Sequence, residues 1–182
     1  MQPWKITHKK QLLHAPIFTL YSQQAHSVED PKKQGTFFYF EMPNFVNVIA
    51  LTPDEKVVLV RQFRHGTQEM SLEVPGGLVD AGEDFVAAGL RELREETGGV
   101  GDEALQIGLI DANPAIQSNH CGTVLVRNVV LGERSLDHNE EIEVILVPLQ
   151  QIPQMIARGE IKHTLVVSAF YHLHIHQMGL TE

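Results

Sequence analysis

Residues 77–99 read GLVDAGEDFVAAGLRELREETGG and predict a helix with an unusual distribution of charge. Glycine readily adopts the left-handed conformation that ends helices, so Gly98 and Gly99 predict that the helix stops at Thr97. The last turns of a helix favour basic side chains, because the unpaired carbonyl groups there carry a partial negative charge. These turns instead hold glutamates at positions 92, 95 and 96. Such a concentration of carboxylates requires a physical reason.

The apolar residues of the same stretch define the face of the helix that we expect to be buried. They recur with the spacing of a helical stripe, at Val86, Leu90, Leu93 and Thr97. At about 100° per residue, the three glutamates fall within about 100° of each other, and the stripe points more than a right angle away. We therefore expect the carboxylates to project together while the opposite face packs on a sheet.

Two interpretations of these carboxylates remain open at this point. Like charges about 4 Å apart repel by roughly 4 kcal/mol per pair at an effective dielectric constant of 20. A solvated acidic face, partly neutralised by Arg91 and Arg94, would reduce that repulsion. A divalent cation would remove it, and glutamate and backbone carbonyl oxygens are the ligands that Mg²⁺ or Mn²⁺ prefers. The glycines at 76, 77 and 82 favour the metal site, because residues without a side chain let the backbone approach another group closely.

The spacing of these residues resembles the Nudix box, in which Gly, five residues, Glu and seven residues precede Arg-Glu-aliphatic-X-Glu-Glu-X-Gly-aliphatic. The matching positions are Gly77, Glu83, Arg91, Glu92, Leu93, Glu95, Glu96 and Gly98. Gly99 departs from the pattern, because the family usually has an aliphatic residue there. That residue packs the loop after the helix, so the departure bears on stability more than on chemistry.

The resemblance implies an α/β fold, a Nudix-type α/β/α sandwich around a mixed β-sheet, with a small N-terminal β-element. It implies metal-dependent hydrolysis of a nucleoside diphosphate linked to another moiety, with Mg²⁺ (or Mn²⁺) as the cofactor. The implied metal ligands are Glu92, Glu95, Glu96 and the carbonyl group of Gly76. Arg91 is implied to orient the glutamates by pairing with Glu83, about two turns away.

The sequences flanking the box are similar to those of the ADP-ribose pyrophosphatase and nucleotide-sugar hydrolase subfamily. This similarity rests on RQFRHG, LEVPGG and a proline 15 residues after the box. It implies ADP-ribose or a related ADP-sugar as the substrate, cleaved to AMP and, from ADP-ribose, ribose 5-phosphate. The implied substrate-binding residues are Arg61, Arg64, Glu73 and Pro114. Another nucleotide sugar such as GDP-mannose, or a non-catalytic Nudix-fold nucleotide sensor, remains an alternative.

In the same subfamily an N-terminal β-element swaps across a dimer and helps to bind the adenosine part. The resemblance therefore implies a homodimer, with residues 1–42 forming that element and residues 43–182 forming the hydrolase domain.

A loop before a late strand carries an acid pair in the subfamily, and the corresponding residues here are DHNEEI, 137–142. Glu140 matches the second acid, which approaches the metal. The position of the first, a general-base candidate, is His138, which lacks the negative charge of a carboxylate. The catalytic base is therefore Glu140, Glu141 or His138, unless the loop binds metal only. A polar turn without chemistry is the remaining interpretation.

Composition limits the class of protein further. The net charge of −9 opposes a general nucleic-acid binder, which neutralises phosphates with basic side chains. No apolar run reaches the roughly 20 residues that a membrane helix needs, and nothing resembles a signal peptide. The single cysteine agrees with a reducing compartment. These observations predict a cytoplasmic protein that binds a small molecule, and neither nucleic acid nor membrane.

Local patterns predict the remaining elements. β-Branched and aromatic residues predict strands at 36–42, 45–51, 57–63, 105–111, 123–131 and 141–149. Turn residues at 52–56 predict a hairpin between the second and third of these. A short helix is predicted at 153–158, and a longer one at 163–176, where a strand is the alternative. The first 30 or so residues show only short, broken apolar stretches.

Overall fold

The computed structural model describes residues 2–136, 138 and 141–180. These residues form two compact units, Met1–Asn44 with Asp111–His120, and Phe45–Ile110 with Cys121–Glu182. The division at residue 42 stays a prediction. In the part of the chain that the structure describes, no helix is both long and apolar enough to cross a membrane.

The first unit contains an antiparallel sheet of β1 (Lys5–Ala15), β2 (Phe18–His26) and β3 (Gln34–Glu41), in that order. Nearly all side chains of β1 are exposed, so the strand has no alternation of apolar and polar residues that the sequence could reveal. Cross-strand aromatic pairs support the sheet. Tyr21 faces Tyr39 in the register of β2 and β3, and their rings stack with centroids 5.6 Å apart.

The segment 111–120 completes this unit by pairing with β3. The backbone N–H of Phe40 donates to the carbonyl group of Ile116 at 2.7 Å, and the N–H of Ser118 donates to that of Phe40 at 3.1 Å. Pro114 lies in the turn of this segment. It directly follows Asn113, whose carbonyl group accepts hydrogen bonds from the N–H groups of Ile116 and Gln117. Asn113 and Pro114 therefore begin a turn of the backbone.

The described residues of the second unit form two sheets and three α-helices. Its strands are β4 (Phe45–Ala50), β5 (Lys56–Arg64), β6 (Glu69–Glu73), β7 (Gly76–Leu78), β8 (Glu103–Asp111), β9 (His120–Arg127) and β10 (Glu143–Pro148). Its helices are α1 (Phe85–Thr97), α2 (Ile152–Ala157) and α3 (Thr164–Gln177). One sheet has the order β7-β4-β9-β8 and the other β10-β5-β6. Strands β4 and β9 are parallel, whereas β4–β7, β5–β6 and β5–β10 are antiparallel, so the strand arrangement is mixed.

Alternate residues of the central strands face two different helical layers. On β4, Val48 and Ala50 pack in the core that contains Ala88 of α1. Ile49 and Leu51 pack in the core formed with α2 and α3. This alternation at period 2 gives each face of the sheet its own apolar core. The result is an α/β/α sandwich, and the predicted fold class is confirmed.

Two predicted strand features need correction. The strand predicted at 123–131 ends at Arg127, because Asn128 has a positive φ of 53° that extended backbone cannot adopt. The turn at 52–56 is present, with Glu55 at φ 58°, but within the described part of the chain the strands beside it pair only through the Leu51–Val57 bridge. Strands β4 and β5 then diverge into different sheets. The segment predicted as a helix or a strand at 163–176 is helical.

Helix α1 ends where the sequence predicts. Asp84 caps its start by accepting a hydrogen bond from the N–H of Ala87 at 2.8 Å. Gly98 ends it in the left-handed conformation, with φ 67°. The predicted buried stripe was wrong at Leu90, which is 37% exposed. The helix instead lies close to the sheet at Gly89, where a Cβ atom would come within 3.2 Å of Val48.

Candidate active site

A polar cleft of about 470 Å³ opens beside α1 in the second unit. It brings together six of the residues predicted from the sequence, Arg64, Gly76, Arg91, Glu92, Glu95 and Glu96. It is also lined by Gln62, Asp80 and Ser135, which sequence reasoning missed. Only the register of β5 could have indicated Gln62, which lies two residues before Arg64 and therefore points to the same side of the strand.

The three box glutamates occupy different environments. Glu96 is only 3% exposed, and it accepts a hydrogen bond from the N–H of Gly76 at 3.0 Å. Its carboxylate therefore lies between α1 and the sheet, so the interpretation as a solvated acidic face fails for Glu96, although all three glutamates line the same cleft. Glu92 lies against Gly77, where a Cβ atom would be 2.3 Å from a carboxylate oxygen. Glu95 is intermediate in exposure.

Arg91 links the acidic residues of the cleft. Its Nε and Nη2 atoms donate to Glu83 at 3.1 and 3.0 Å, which confirms the predicted pair. Its Nη1 donates to Glu92 at 2.8 Å and to Glu95 at 3.2 Å, and Nη2 also donates to the carbonyl group of Leu78. Hydrogen bonds from Arg91 hold the pKa of Glu83 below its ordinary value. One guanidinium thus orients three carboxylates.

Arg64 and Glu73 form a bidentate pair on the β5–β6 hairpin. Nε and Nη2 of Arg64 donate to the two carboxylate oxygens of Glu73 at 2.8 and 2.7 Å. Glu73 is only 4% exposed. Burial raises its pKa, but the hydrogen bonds and charge of Arg64 hold the pKa below its ordinary value. The cleft therefore receives a guanidinium in a fixed orientation.

Glu73 contacts Arg64 but does not itself line the cleft, and two further predicted substrate-binding residues do not line it either, among the described residues. Arg61 pairs with Glu143 of the neighbouring strand β10 at 3.2 Å, and both side chains are exposed. Pro114 belongs to the first unit. Their roles stay predictions.

The loop after β9 packs against the end of α1. A Cβ atom on Gly98 would be 2.3 Å from the backbone of Gly132, so this approach requires glycine. The N–H of Ser135 donates to the carbonyl group of Glu95 at 3.0 Å, and Nη1 of Arg134 donates to that of Ile142 at 2.7 Å. These contacts hold both ends of the segment that carries the predicted base.

Within that segment, His138 and Glu141 are exposed, whereas Glu140 lies outside the described residues. The assignment of the base therefore stays a prediction.

The donor chemistry of the cleft fits a divalent cation. Among the described residues, no three acidic, histidine or cysteine side chains converge on one point as a complete metal site, and Arg91 bridges Glu92 and Glu95. Even so, three carboxylates share one cleft with the backbone of Gly76. Oxygen donors of this kind suit Mg²⁺ and Mn²⁺. The absence of a Cβ atom on Gly77 also leaves the space that Glu92 occupies.

A mixed sheet between helical layers, with an acidic helix beside a polar cleft, is the arrangement expected of a Nudix hydrolase. Residues 43–168 match the NUDIX domain family, and the protein belongs to that family. The resemblance noted in the sequence is thereby confirmed.

Known proteins from several organisms are similar to this chain. The ADP-ribose pyrophosphatase of Bacillus subtilis is 27% identical over 174 residues, which cover 94% of this chain and 92% of that protein. The ADP-ribose pyrophosphatase of Saccharomyces cerevisiae is 35% identical over 112 residues, 58% of this chain and 48% of the yeast protein. A crystal structure of an ADP compounds hydrolase superposes with a TM-score of 0.83 at 20% identity, over 100% of this chain and 98% of that one. At this identity the likeness of structure supports the fold.

Proposed function

We propose that the protein is a divalent-metal-dependent pyrophosphohydrolase that cleaves ADP-ribose, or a related ADP-sugar, and releases AMP. The observation that carries this proposal is the cleft in which Arg91 orients Glu92 and Glu95 beside the buried Glu96. The choice of substrate is supported by the similarity to ADP-ribose pyrophosphatases and to the ADP-sugar pyrophosphatase of Mus musculus.

Glu92, Glu95 and Glu96, with the carbonyl group of Gly76, would hold Mg²⁺ or Mn²⁺. When bound there, such an ion would supply Lewis-acid chemistry, polarising the phosphoryl oxygens and activating the attacking water. Arg91 keeps Glu92 and Glu95 in place, while the N–H of Gly76 fixes the carboxylate of Glu96. Because these contacts exist before substrate binds, the carboxylates need little reorganisation during the reaction.

Arg64, which lines the same cleft, binds the anionic pyrophosphate of the substrate. A planar guanidinium matches the geometry of phosphate oxygens, and Glu73 fixes its orientation. Glu140 or Glu141 accepts the proton of the attacking water. His138 is exposed on the same segment.

The protein acts on a small molecule in the cytoplasm, as a homodimer in which residues 1–42 reach the partner subunit. The single cysteine and the net charge of −9 support this setting, and neither nucleic acid nor membrane is a partner. Light scattering during gel filtration, with the full-length chain and with a chain that begins at residue 43, tests the dimer. A monomeric full-length chain would refute it.

Product analysis tests the activity directly. The protein is incubated with Mg²⁺ or Mn²⁺, or with a chelator, and with ADP-ribose, ADP-glucose, GDP-mannose, NADH or a nucleoside triphosphate. We expect AMP chiefly from ADP-ribose or ADP-glucose, and no product with the chelator. Cleavage mainly of GDP-mannose would show that the substrate is a nucleotide sugar other than an ADP-sugar. No cleavage, together with a ligand-dependent melting shift, would favour a nucleotide sensor.

A further inference from the structure

An apolar groove of about 660 Å³ lies in the second unit, between α3 and the segment that contains α2. Its floor belongs to the core of the domain, and consists of the buried residues Ile152, Phe170 and Leu173. Its walls are partly buried apolar residues that pack against that core: Leu149, Ile156 and Val167. No described residue lines both this groove and the candidate active site. A concave apolar surface of this size resembles the pockets in which proteins bind small organic molecules.

The groove also carries a negative charge that no basic side chain neutralises. Glu55 lines the groove, and among the described residues no hydrogen bond or ion pair involves its carboxylate. The neighbouring Lys56 pairs instead with Asp54, at 2.8 Å. Apart from His174, Glu55 is the only acidic or basic residue among the described residues that line the groove. A carboxylate beside an apolar surface favours a ligand that carries positive charge.

The backbone holds Glu55 at the groove in a conformation that glutamate disfavours. Its φ of 58° lies in the left-handed region, where glycine or asparagine would be less strained. The N–H of Glu55 donates to the carbonyl group of Thr52 at 3.0 Å, and the carbonyl group of Glu55 accepts from the N–H of Leu149 at 3.1 Å. The second bond ties the turn to the wall of the groove. A glutamate therefore occupies a fixed position there despite its strain.

An exposed aromatic ring in the groove attracts the same kind of ligand. Tyr171 of α3 lines the groove and is 63% exposed. Its ring lies beside that of His174, with the centroids 6.4 Å apart. The face of an aromatic ring attracts an ammonium group electrostatically. Tyr171 and Glu55 thus both favour a cation, whereas the floor and walls favour an apolar body.

We propose that this groove binds a small organic cation, with its apolar body between α2 and α3 and its ammonium group beside Glu55. The volume supports a small molecule as the occupant, because pockets for such ligands typically enclose about 300–1,000 Å³. The groove and the candidate active site have separate linings. The assignment therefore does not depend on the proposed reaction.

A nuclear magnetic resonance titration locates and measures the binding. The full-length protein carries carbon-13 methyl labels on isoleucine, leucine and valine, and the probes are 4-phenylbutylamine, 4-phenylbutan-1-ol and 4-phenylbutyrate. We expect the amine to shift the methyl signals of Ile156 and Val167, with a dissociation constant of about 1 mM. The signals of Val48 and Val130, which do not line the groove, should stay unchanged. The alcohol should bind about fivefold more weakly than the amine, and the carboxylate more weakly still.

Three variants and a control test which groups carry the binding. Glu55→Gln keeps the length of the side chain but removes its charge, so it should weaken the amine about fivefold and leave the alcohol unchanged. Glu103→Gln, at an exposed site of β8, makes the same change in net charge and should affect neither probe. Tyr171→Ala should weaken the amine about threefold. Val167→Phe should obstruct the groove and weaken every probe, while an unchanged Val48 signal shows that the variant is folded.

Each of four results would overturn the proposal. The absence of any shift at the groove methyl groups with the amine would exclude the site. Equal affinity for the amine and the alcohol, or an amine affinity unchanged in Glu55→Gln, would show that Glu55 does not select a cation. A shift of the same signals with protein concentration alone would assign the groove to contact with a second copy of the chain. Binding of a helical peptide of leucine and lysine, without binding of the amine, would assign it to a protein partner.

Discussion

Helices α1 and α3 pack against the same strand, β4, and bury very different side chains. The buried residues of α3 are all apolar: Val166, Ala169, Phe170 and Leu173. Those of α1 include a carboxylate and a hydroxyl group: Ala88, Gly89, Leu93, Glu96 and Thr97. A buried carboxylate costs free energy unless it is hydrogen-bonded, and α1 places Glu96 on the backbone of Gly76 to achieve this.

The difference shows that the two helices have different roles, one in stability and the other in the site. Helix α3 supplies apolar burial, which stabilises the fold. Helix α1 approaches the sheet closely through Gly89, contributes less apolar surface, and thereby brings charged groups into the cleft. Substitutions in α1 should therefore reduce activity more than stability, and substitutions in α3 should do the reverse.

The largest effect is expected for Glu96→Gln. The amide keeps the shape of the side chain and can still accept the hydrogen bond from Gly76, but it removes a charge from the cleft. We expect kcat/KM with Mg²⁺ to fall about 10³-fold, comparable with the loss of a principal electrostatic group, while the melting temperature changes little. Glu103→Gln, on an exposed site of β8, is the control. Near-normal activity of Glu96→Gln would refute its assignment to the metal site.

Leu173→Ala should produce the opposite profile. Leu173 is 3% exposed, and its truncation should lower the free energy of unfolding by about 3 kcal/mol. Urea denaturation measures this loss, and kcat at a temperature where the variant is folded should remain near that of the wild type. Leu180→Ala, at a site that is 67% exposed, serves as the control. A large fall in kcat for folded Leu173→Ala would contradict the division between the helices.

Gly98→Ala should affect both properties, because Gly98 joins α1 to the loop that contains Ser135. Alanine is strained at φ 67°, and its Cβ atom would collide with Gly132. We expect a loss of about 2 kcal/mol in unfolding free energy, with a fall in kcat as the loop moves. Gly66→Ala is the control, since nothing lies within 4 Å of a Cβ atom there. A normal kcat would show that the contact between Gly98 and Gly132 does not position a catalytic residue.

The smallest effect concerns the pH dependence of stability through Glu73. Its pKa in the folded protein lies below the ordinary value of 4.5, so the pair with Arg64 contributes its full stability above that value. This contribution is lost as the pH falls through the folded-state pKa. We expect Glu73→Gln to be less stable than the wild type by about 1 kcal/mol at pH 7, with the difference shrinking in acid. A difference that does not vary with pH would contradict this assignment.

The parts of the fold that the sequence predicted are those set by local chemistry. Helix α1 could be delimited because Gly98 and the apolar spacing act within a few residues of each other. The Arg91–Glu83 pair followed from the box pattern. Strand β1 could not be predicted, because most of its side chains are exposed and show no period.

The parts of the site that the sequence missed depend on contacts between distant segments. The burial of Glu96 depends on Gly76, which the sheet brings to α1. The pairing of Arg64 with Glu73 could not be read from the register, which places Glu69 opposite Arg64. The approach of Gly132 to Gly98 likewise follows from the path of the loop after β9.

The parallel pairing of β4 with β9 determines when during synthesis the chain can complete its structure. All of β5 to β8 and α1 lie between these two strands, so the ladder closes a long loop. Non-local pairing of this kind folds slowly and exposes apolar surface in the meantime. Helix α1 packs against both Val48 of β4 and Val124 of β9. The surface on which it packs is therefore incomplete until β9 has left the ribosome. The acidic helix can form early, but its glutamates reach their final places only late in folding.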